Sequence, residues 1–304
     1  MLKVETGPEH ARSTYVLRIH RPGYRTVDET RSELTFLMAL RQATGLAVPE
    51  PVPNLEGDLV TLASTQDGGE TRHCDLLTWL DGKPRYPGQG LGLRSVNRLG
   101  EFLGCLHAYS QRFAPPEGFA LPRWDAGGLF TERSPYKPGP LGDMFSDEQR
   151  ALFAEVERRS RAVLRELGEG DGEFGIIHAD FILGNCLFQG REPRLLDFDD
   201  CGWGYFLYDM CPMLGNLKDY PRYPALRREF LAGYRSIRPL LKEHEAHIDL
   251  FIAARHAMSC LWVAGNQRSS SAGPDLNEHV AYRIGEVRNY LSSTYAHPFH
   301  REVA

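Results

Sequence analysis

Between residues 174 and 200 the chain has two short apolar runs, each leading straight into a polar group. Phe174-Gly175-Ile176-Ile177 runs into His178-Ala179-Asp180, and Leu195-Leu196 runs into Asp197-Phe198-Asp199-Asp200. Apolar runs of this kind read as buried strands, and Asn185-Cys186-Leu187-Phe188 between them reads as a third. Carboxylates at the ends of buried strands are held rigidly, and rigid placement suits a catalytic site.

The rest of the chain arranges itself around that segment. Met1–Thr6 and Ser13–His20 carry strand formers, with Gly7-Pro8-Glu9 as a turn between them. Helical spacing follows from Val27 to Gly45, then two more strands over Asp58–Ala63 and His73–Leu80, joined by a turn at Gln66-Asp67-Gly68-Gly69. After Asp81-Gly82 the pattern is mostly helical. Val96, Leu99, Phe102, Leu103 and Leu106 share one face, and Ala114–Gly142 is a Pro- and Gly-rich connection. Ser146 and Gln149 form a capping box for a helix that Gly168 ends. Further strands are expected at Phe174–His178, Asn185–Phe188 and Arg194–Phe198, and helices near Ala225–Ile237, Glu243–Gly265 and Asp275–Tyr295. The expectation is an α+β chain with two lobes: a β-rich lobe over residues 1–81 and a larger helical lobe over 82–304, with a ligand cleft at the joint.

The chemistry such a site can perform is narrow. Phosphoryl transfer needs neutralised phosphates and an oriented, deprotonated hydroxyl, and little covalent help. Asp180, in a loop directly after a strand, can orient the hydroxyl. A metal such as Mg2+ takes hard oxygen ligands, and Asp197 and the amide oxygen of Asn185 supply two. The order Asp-x-x-x-x-Asn, then Asp-Phe-x on a strand, matches the protein-kinase signature. His178 reads as a brace for the loop rather than a reactant, Asp199 as a second ligand or a turn residue, and Asp209 as structural.

These residues resemble the aminoglycoside phosphotransferase and choline kinase family, within the protein-kinase-like fold. The family loop is His-Gly-Asp-x-x-x-x-Asn, and here Ala179 replaces the glycine. The resemblance implies Asp180 as catalytic base, Asn185 and Asp197 as Mg2+ ligands, and ATP as donor. It further implies Arg18 as the phosphate-binding cation, Glu33 as its helix partner, and Thr78, Trp79 and Leu80 within a hinge for adenine. Tyr208-Asp209 and Leu103-Gly104-Cys105-Leu106-His107 resemble further family segments. Met1–Thr6 reads as the family's second strand, which leaves its first strand and phosphate-covering loop unaccounted for.

The expected partner is a small-molecule hydroxyl acceptor: an amino alcohol, an aminoglycoside-like compound or homoserine. Trp203, Tyr205, Tyr208 and Trp262 are candidate walls for an amine, although core positions suit them better. Alternatives are a serine/threonine protein kinase, for which Asp197-Phe198-Asp199-Asp200 speaks, a non-catalytic nucleotide-binding scaffold, and a metal hydrolase built on His178 and Asp180. The net charge of -5 gives no attraction to nucleic acid or anionic membrane. No apolar run is expected to span a bilayer, and without a signal-peptide pattern a cytoplasmic protein is the default. The six cysteines include no C-x-x-C pair and read as small buried hydrophobes. Oligomeric state is not legible.

Overall fold

The computed structural model describes residues 1–8, 12–64, 69–131, 133–135, 144–266 and 276–296. In chain order its main elements are β1 (Leu2–Thr6), β2 (Ser13–Ile19), α1 (Val27–Thr44), β3 (Pro51–Val52), β4 (Thr61–Ser64), β5 (Thr71–Thr78), β6 (Lys83–Pro84), α2 (Leu93–Ser110), α3 (Asp147–Leu167), β7 (Phe174–Ile177), β8 (Cys186–Gln189), β9 (Glu192–Leu195), α4 (Tyr223–Ile237), α5 (Ile248–Asn266) and α6 (Leu276–Ala296). By their internal contacts they fall into two units. One comprises Met1–Pro122, Gly175–Trp203 and Asn216–Pro239, the other Arg123–Phe174, Gly204–Gly215 and Leu240–Ala304.

The first unit carries every residue singled out above for nucleotide, metal and base. Its main sheet runs β1-β2-β5-β3, with β4 also on β5, and every pairing is antiparallel. The β2–β5 register sets Arg18 opposite Asp75. Helix α1 starts at a capping box in which Thr26 and Glu29 satisfy each other's backbone amides, and Asp28 and Glu29 sit in its first turn, where the helix dipole favours them. It ends at Gly45, whose backbone is left-handed, a conformation that glycine adopts without steric cost. Leu34, Phe36, Leu37 and Leu40 bury its inner face. A second sheet, β9-β8-β6, carries the two strands that lie in sequence between Asn185 and Asp197.

Helices α2 and α4 lie nearly backbone to backbone. A Cβ on Gly100 would sit 2.0 Å from the Phe230 carbonyl oxygen, and one on Gly233 would sit 1.9 Å from that of Asn97. No side chain fits at either place. His107 on α2 and Tyr234 on α4 close the seam with a buried hydrogen bond of 3.0 Å.

In the second unit α3, α5 and α6 bury Val156 and Leu164, Phe251 and Met258, and Val287 against one another. The capping box of Ser146 and Gln149 is present. Over Ile248–Gly265, α5 is by length and composition long and apolar enough to cross a membrane, contrary to the expectation that no run reaches that length. Most of that stretch is buried inside the protein, as a core helix's would be.

Several expected boundaries move. The strand expected over Arg194–Phe198 is Glu192–Leu195, because the chain turns sharply at Asp197 and runs into a short 3-10 turn, Phe198–Asp200. The strand expected at Asp58 begins at Thr61, since Asp58 closes a tight loop with Asn54. The helix expected over Glu243–Gly265 breaks into Lys242–Glu245 and α5. The connection expected to be irregular from Ala114 holds a short helix, Ala126–Phe130, capped by Asp125. The turn residues Glu9 and Gln66-Asp67-Gly68, the end of that connection, and Asp275 lie outside the described residues. Tyr205 and Tyr208 are buried, as the core positions favoured for them require, with Tyr208 fully so.

Candidate active site

The front sheet presents an ionic cluster on its inner face. Arg18 donates through Nε to Asp75 at 2.8 Å and through Nη1 to Glu33 at 2.7 Å, and all three are nearly buried. His20 Nε2 meets the other Asp75 oxygen at 2.6 Å, and the His20 ring stacks on His73 at 4.5 Å. His73 in turn bonds Thr30 on α1 at 3.1 Å. Two carboxylates therefore share one guanidinium, and they respond differently. Burial works against Asp75, but His20 and Arg18 hold it below the ordinary carboxylate range. Burial pushes Glu33 up to about 7 despite the pull of Arg18, and Asp199 and Asp75 add to the push. Arg18 stays charged: burial would depress it, but Glu33 and Asp75 raise it above its usual value. Its Nη2 is buried and has no hydrogen-bond partner among the described residues.

The loop after β7 is braced by His178, which is fully buried. Nδ1 accepts from the Asp180 amide at 3.3 Å, and Nε2 lies 2.9 Å from the Leu196 carbonyl oxygen. That pattern fits the neutral ring with its proton on Nε2, so the imidazole ties the Asp180 loop to the Asp197 segment, the bracing role expected of it. The Leu196 amide donates to the Asn185 carbonyl at 2.9 Å and makes the same link through the backbone. Asn185 Nδ2 donates to the Asp180 carboxylate and to its carbonyl, both at 3.0 Å. The amide nitrogen is thus committed, and the amide oxygen is the atom available as a ligand.

Two backbone positions are unusual. Ala179 and Asp197 both have positive φ, in the left-handed region that non-glycine residues rarely adopt. Both stand next to or at a candidate reacting group, where such conformations tend to cluster. Burial pushes Asp197 up to about 6, with Asp199 and Asp200 adding to the push and Arg18 opposing it.

A cavity of about 370 Å³ runs beneath the sheet. Arg18, Thr78, Trp79, Leu80, Asn185 and Asp197 all line it, along with Met1–Lys3 at its edge. Glu33 and Asp180, also expected at the site, are not among its lining residues; Glu33 is bonded to Arg18 and Asp180 to Asn185. Of the three amides expected at a hinge, those of Thr78 and Trp79 already donate to the carbonyls of Glu50 and Thr14 at 2.9 and 3.1 Å. Among the described residues, the Leu80 amide makes no backbone hydrogen bond. A divalent cation fits this wall on two observations. The donors are hard oxygens, and the carboxylates of Asp199 and Asp200 leave Asp197 in an excess of negative charge that a cation would relieve. Among the described residues, no three His, Cys, Asp or Glu side chains converge as a metal cage, so phosphate oxygens would have to complete the set.

Residues 3–246 match the family model described as "Phosphotransferase enzyme family". The chain belongs to this family. It is 26% identical over 231 residues to an amicoumacin kinase of Bacillus subtilis (strain 168), covering 72% of this chain and 63% of that protein. It is 28% identical over 228 residues to a homoserine kinase of Methylobacterium nodulans, covering 72% and 64%. The chain thus spans somewhat less than two thirds of these relatives. Among solved structures, a microcompartment-associated aminopropanol kinase superposes with a TM-score of 0.78 at 29% identity, over 92% of this chain and 87% of that one. An amicoumacin kinase in complex with AMP-PNP, Ca2+ and Ami superposes with a TM-score of 0.74 at 21% identity, over 94% and 84%. The family resemblance and the protein-kinase-like α+β fold read from the sequence are both borne out, and the chain is an enzyme of the phosphotransferase class.

His20, Asp75, His73, Tyr24 and Arg25 escaped the sequence reading. A signal for the first was present. In Leu17-Arg18-Ile19-His20 the polar residues face inward while Ile19 is 42% exposed; on β5 His73 and Asp75 are buried too, but so is Cys74 between them. A strand whose charged residues occupy the buried alternation announces an ionic cluster.

Proposed function

We propose that this enzyme transfers the γ-phosphoryl group of ATP to a hydroxyl of a small molecule, with Mg2+ as the divalent ion. The observation that carries the reading is an arrangement around one cavity: Asn185, Asp197, Arg18 and Leu80 line it, and Asn185 Nδ2 holds the Asp180 carboxylate at 3.0 Å just behind that wall. In this reading the Leu80 amide receives the base, and Arg18 Nη2 offers a charged donor to phosphate. Asn185 and Asp197 hold the metal, which neutralises charge on the phosphates. Asp180 orients the acceptor hydroxyl and takes its proton, while Asn185 Nδ2 fixes its carboxylate. The complex of a structural neighbour with AMP-PNP and Ca2+ supports a nucleotide and a divalent ion in this fold.

Small amino alcohols and hydroxy amino acids are the acceptors to test first. The aminopropanol kinase and homoserine kinase likenesses favour them over a protein substrate. The experiment is a panel of hydroxyl compounds, amino alcohols, homoserine and aminoglycosides among them, incubated with γ-labelled ATP and Mg2+. Label on a small acceptor supports the reading. Label on protein serine alone, or none over the whole panel, counts against it.

A further inference from the structure

The backbone of Asp197 needs something to hold it, because a left-handed conformation brings Cβ too close to the carbonyl oxygen in any residue but glycine. The turn that follows it is gripped by the connection between β2 and α1. Arg25 Nε donates to the Asp199 carbonyl oxygen at 2.9 Å, and Arg25 Nη2 donates to the Asp200 carboxylate at 3.0 Å. Tyr24 Oη donates to the same Asp200 oxygen at 2.7 Å. The Arg25 side chain is only 4% exposed, and its guanidinium lies over the Tyr24 ring at 4.7 Å. The same connection begins at His20, whose Nδ1 lies 3.7 Å from Asp199 Oδ1, an atom that is buried and has no hydrogen-bond partner among the described residues.

We propose that Arg25, assisted by Tyr24, is a positioning residue for the metal: it clamps the Asp199–Asp200 turn and so presents the Asp197 carboxylate to the divalent ion. The inference rests on the reading of Asp197 as a metal ligand. The geometry favours a clamp over a plain ion pair. A guanidinium has separated donors that reach a backbone carbonyl and a carboxylate at once, which a lysine ammonium cannot do in the same way. The carbonyl it grips belongs to the second residue after Asp197, so the fork acts on the main-chain path and not only on a side chain. Arg25 also sets a positive charge against Asp200, one of the two carboxylates that crowd Asp197.

The test measures AMP-PNP affinity by calorimetry, once in EDTA and once with Mg2+, for wild type, Arg25→Gln, Arg25→Lys, Tyr24→Phe, Asp197→Ala and Arg31→Gln. Arg31 is a surface control that pairs with Asp28 and Asp58 on the outer side of α1. Outer-layer partners of metal ligands typically contribute about 10–100-fold to metal affinity. Arg25→Gln should therefore reduce the Mg2+-dependent gain in affinity at least about tenfold, leave the affinity in EDTA within about threefold, and be partly rescued by lysine. Arg31→Gln should keep the full gain. A wild-type gain in Arg25→Gln, with the gain lost in Asp197→Ala, overturns the clamp alone. A gain retained in Asp197→Ala overturns the metal reading itself. Should Arg25→Gln fail to unfold cooperatively, Tyr24→Phe decides: a gain cut about threefold supports the clamp, and an unchanged gain overturns it.

Discussion

Replacing Arg18 with methionine tests the ionic cluster at its centre. The change deletes one buried charge and leaves two carboxylates, Glu33 and Asp75, at 3% and 4% exposure. Breaking a buried pair from one side costs about 3–5 kcal/mol, because the remaining charge loses its compensation. The two acids will not share that cost equally. Glu33 already sits near 7 and can escape by taking up a proton, whereas Asp75 is held low and keeps only His20, at 2.6 Å. The loss should therefore be about 3 kcal/mol near pH 6 and larger near pH 8. At about 2–4 °C per kcal/mol for a chain of this size, the melting temperature should fall by roughly 6–12 °C at pH 6. Adding Glu33→Gln to Arg18→Met should restore at least about 1 kcal/mol, a coupling expected of residues in direct contact. Urea unfolding of the two single variants and the double variant at both pH values gives the cycle. A loss under about 1 kcal/mol, or one that does not grow with pH, would refute the idea that Arg18 balances this pair.

Two other predictions concern strained or crowded positions in the site. In metal-free buffer Asp197→Asn should be more stable than wild type at pH 8 by about 2–3 kcal/mol, the worth of a shift from 3.8 to about 6. The sign follows from the raised value: the ionisable wild-type residue contributes stability fully below about pH 4 and loses it as pH rises through about 6, so the variant's advantage should vanish at low pH in urea titrations. At Ala179, glycine should be tolerated within about 1 kcal/mol, since relief of the left-handed backbone offsets the lost buried methyl. Ala179→Val should instead cost more than about 2 kcal/mol, because a branched side chain fits neither the backbone nor the buried site; equal melting temperatures for all three would contradict that.

The sequence was most informative where polymer physics and chemistry coincided. Asp180, Asn185 and Asp197 stood out because a strand must bury its apolar run while its terminal acids need partners, and their spacing matched a known arrangement of ligands. Helix ends at Gly45, at the Ser146–Gln149 box and at Gly168 were legible for the same reason: such ends satisfy local backbone groups, so local sequence carries them, although the Thr26–Glu29 box went unread. What escaped was non-local. Asp75 reaches Arg18 across a strand pair separated by 57 residues, and Arg25 reaches Asp200 across 175. No local pattern announces such meetings, although the inverted alternation around Ile19 could have flagged one of them. The turn at Asp197 was missed because Leu195-Leu196-Asp197-Phe198 continues a strand pattern, and only the surrounding contacts make the backbone leave it. Gly100 and Gly233 lie on helical faces where glycine is ordinarily unfavourable; their reason is the helix opposite, which neither segment reveals alone.

The central claim is that Asp180 takes the proton of an alcohol poised beside a metal-bound nucleotide. Its most direct test is single-turnover transfer of label from γ-labelled ATP to the best amino-alcohol acceptor, comparing wild type with Asp180→Asn while AMP-PNP affinity is measured in parallel. Wild type should transfer label, the variant should fall about 10²–10⁴-fold, and nucleotide affinity should stay within about threefold. Transfer at the wild-type rate by Asp180→Asn would contradict it.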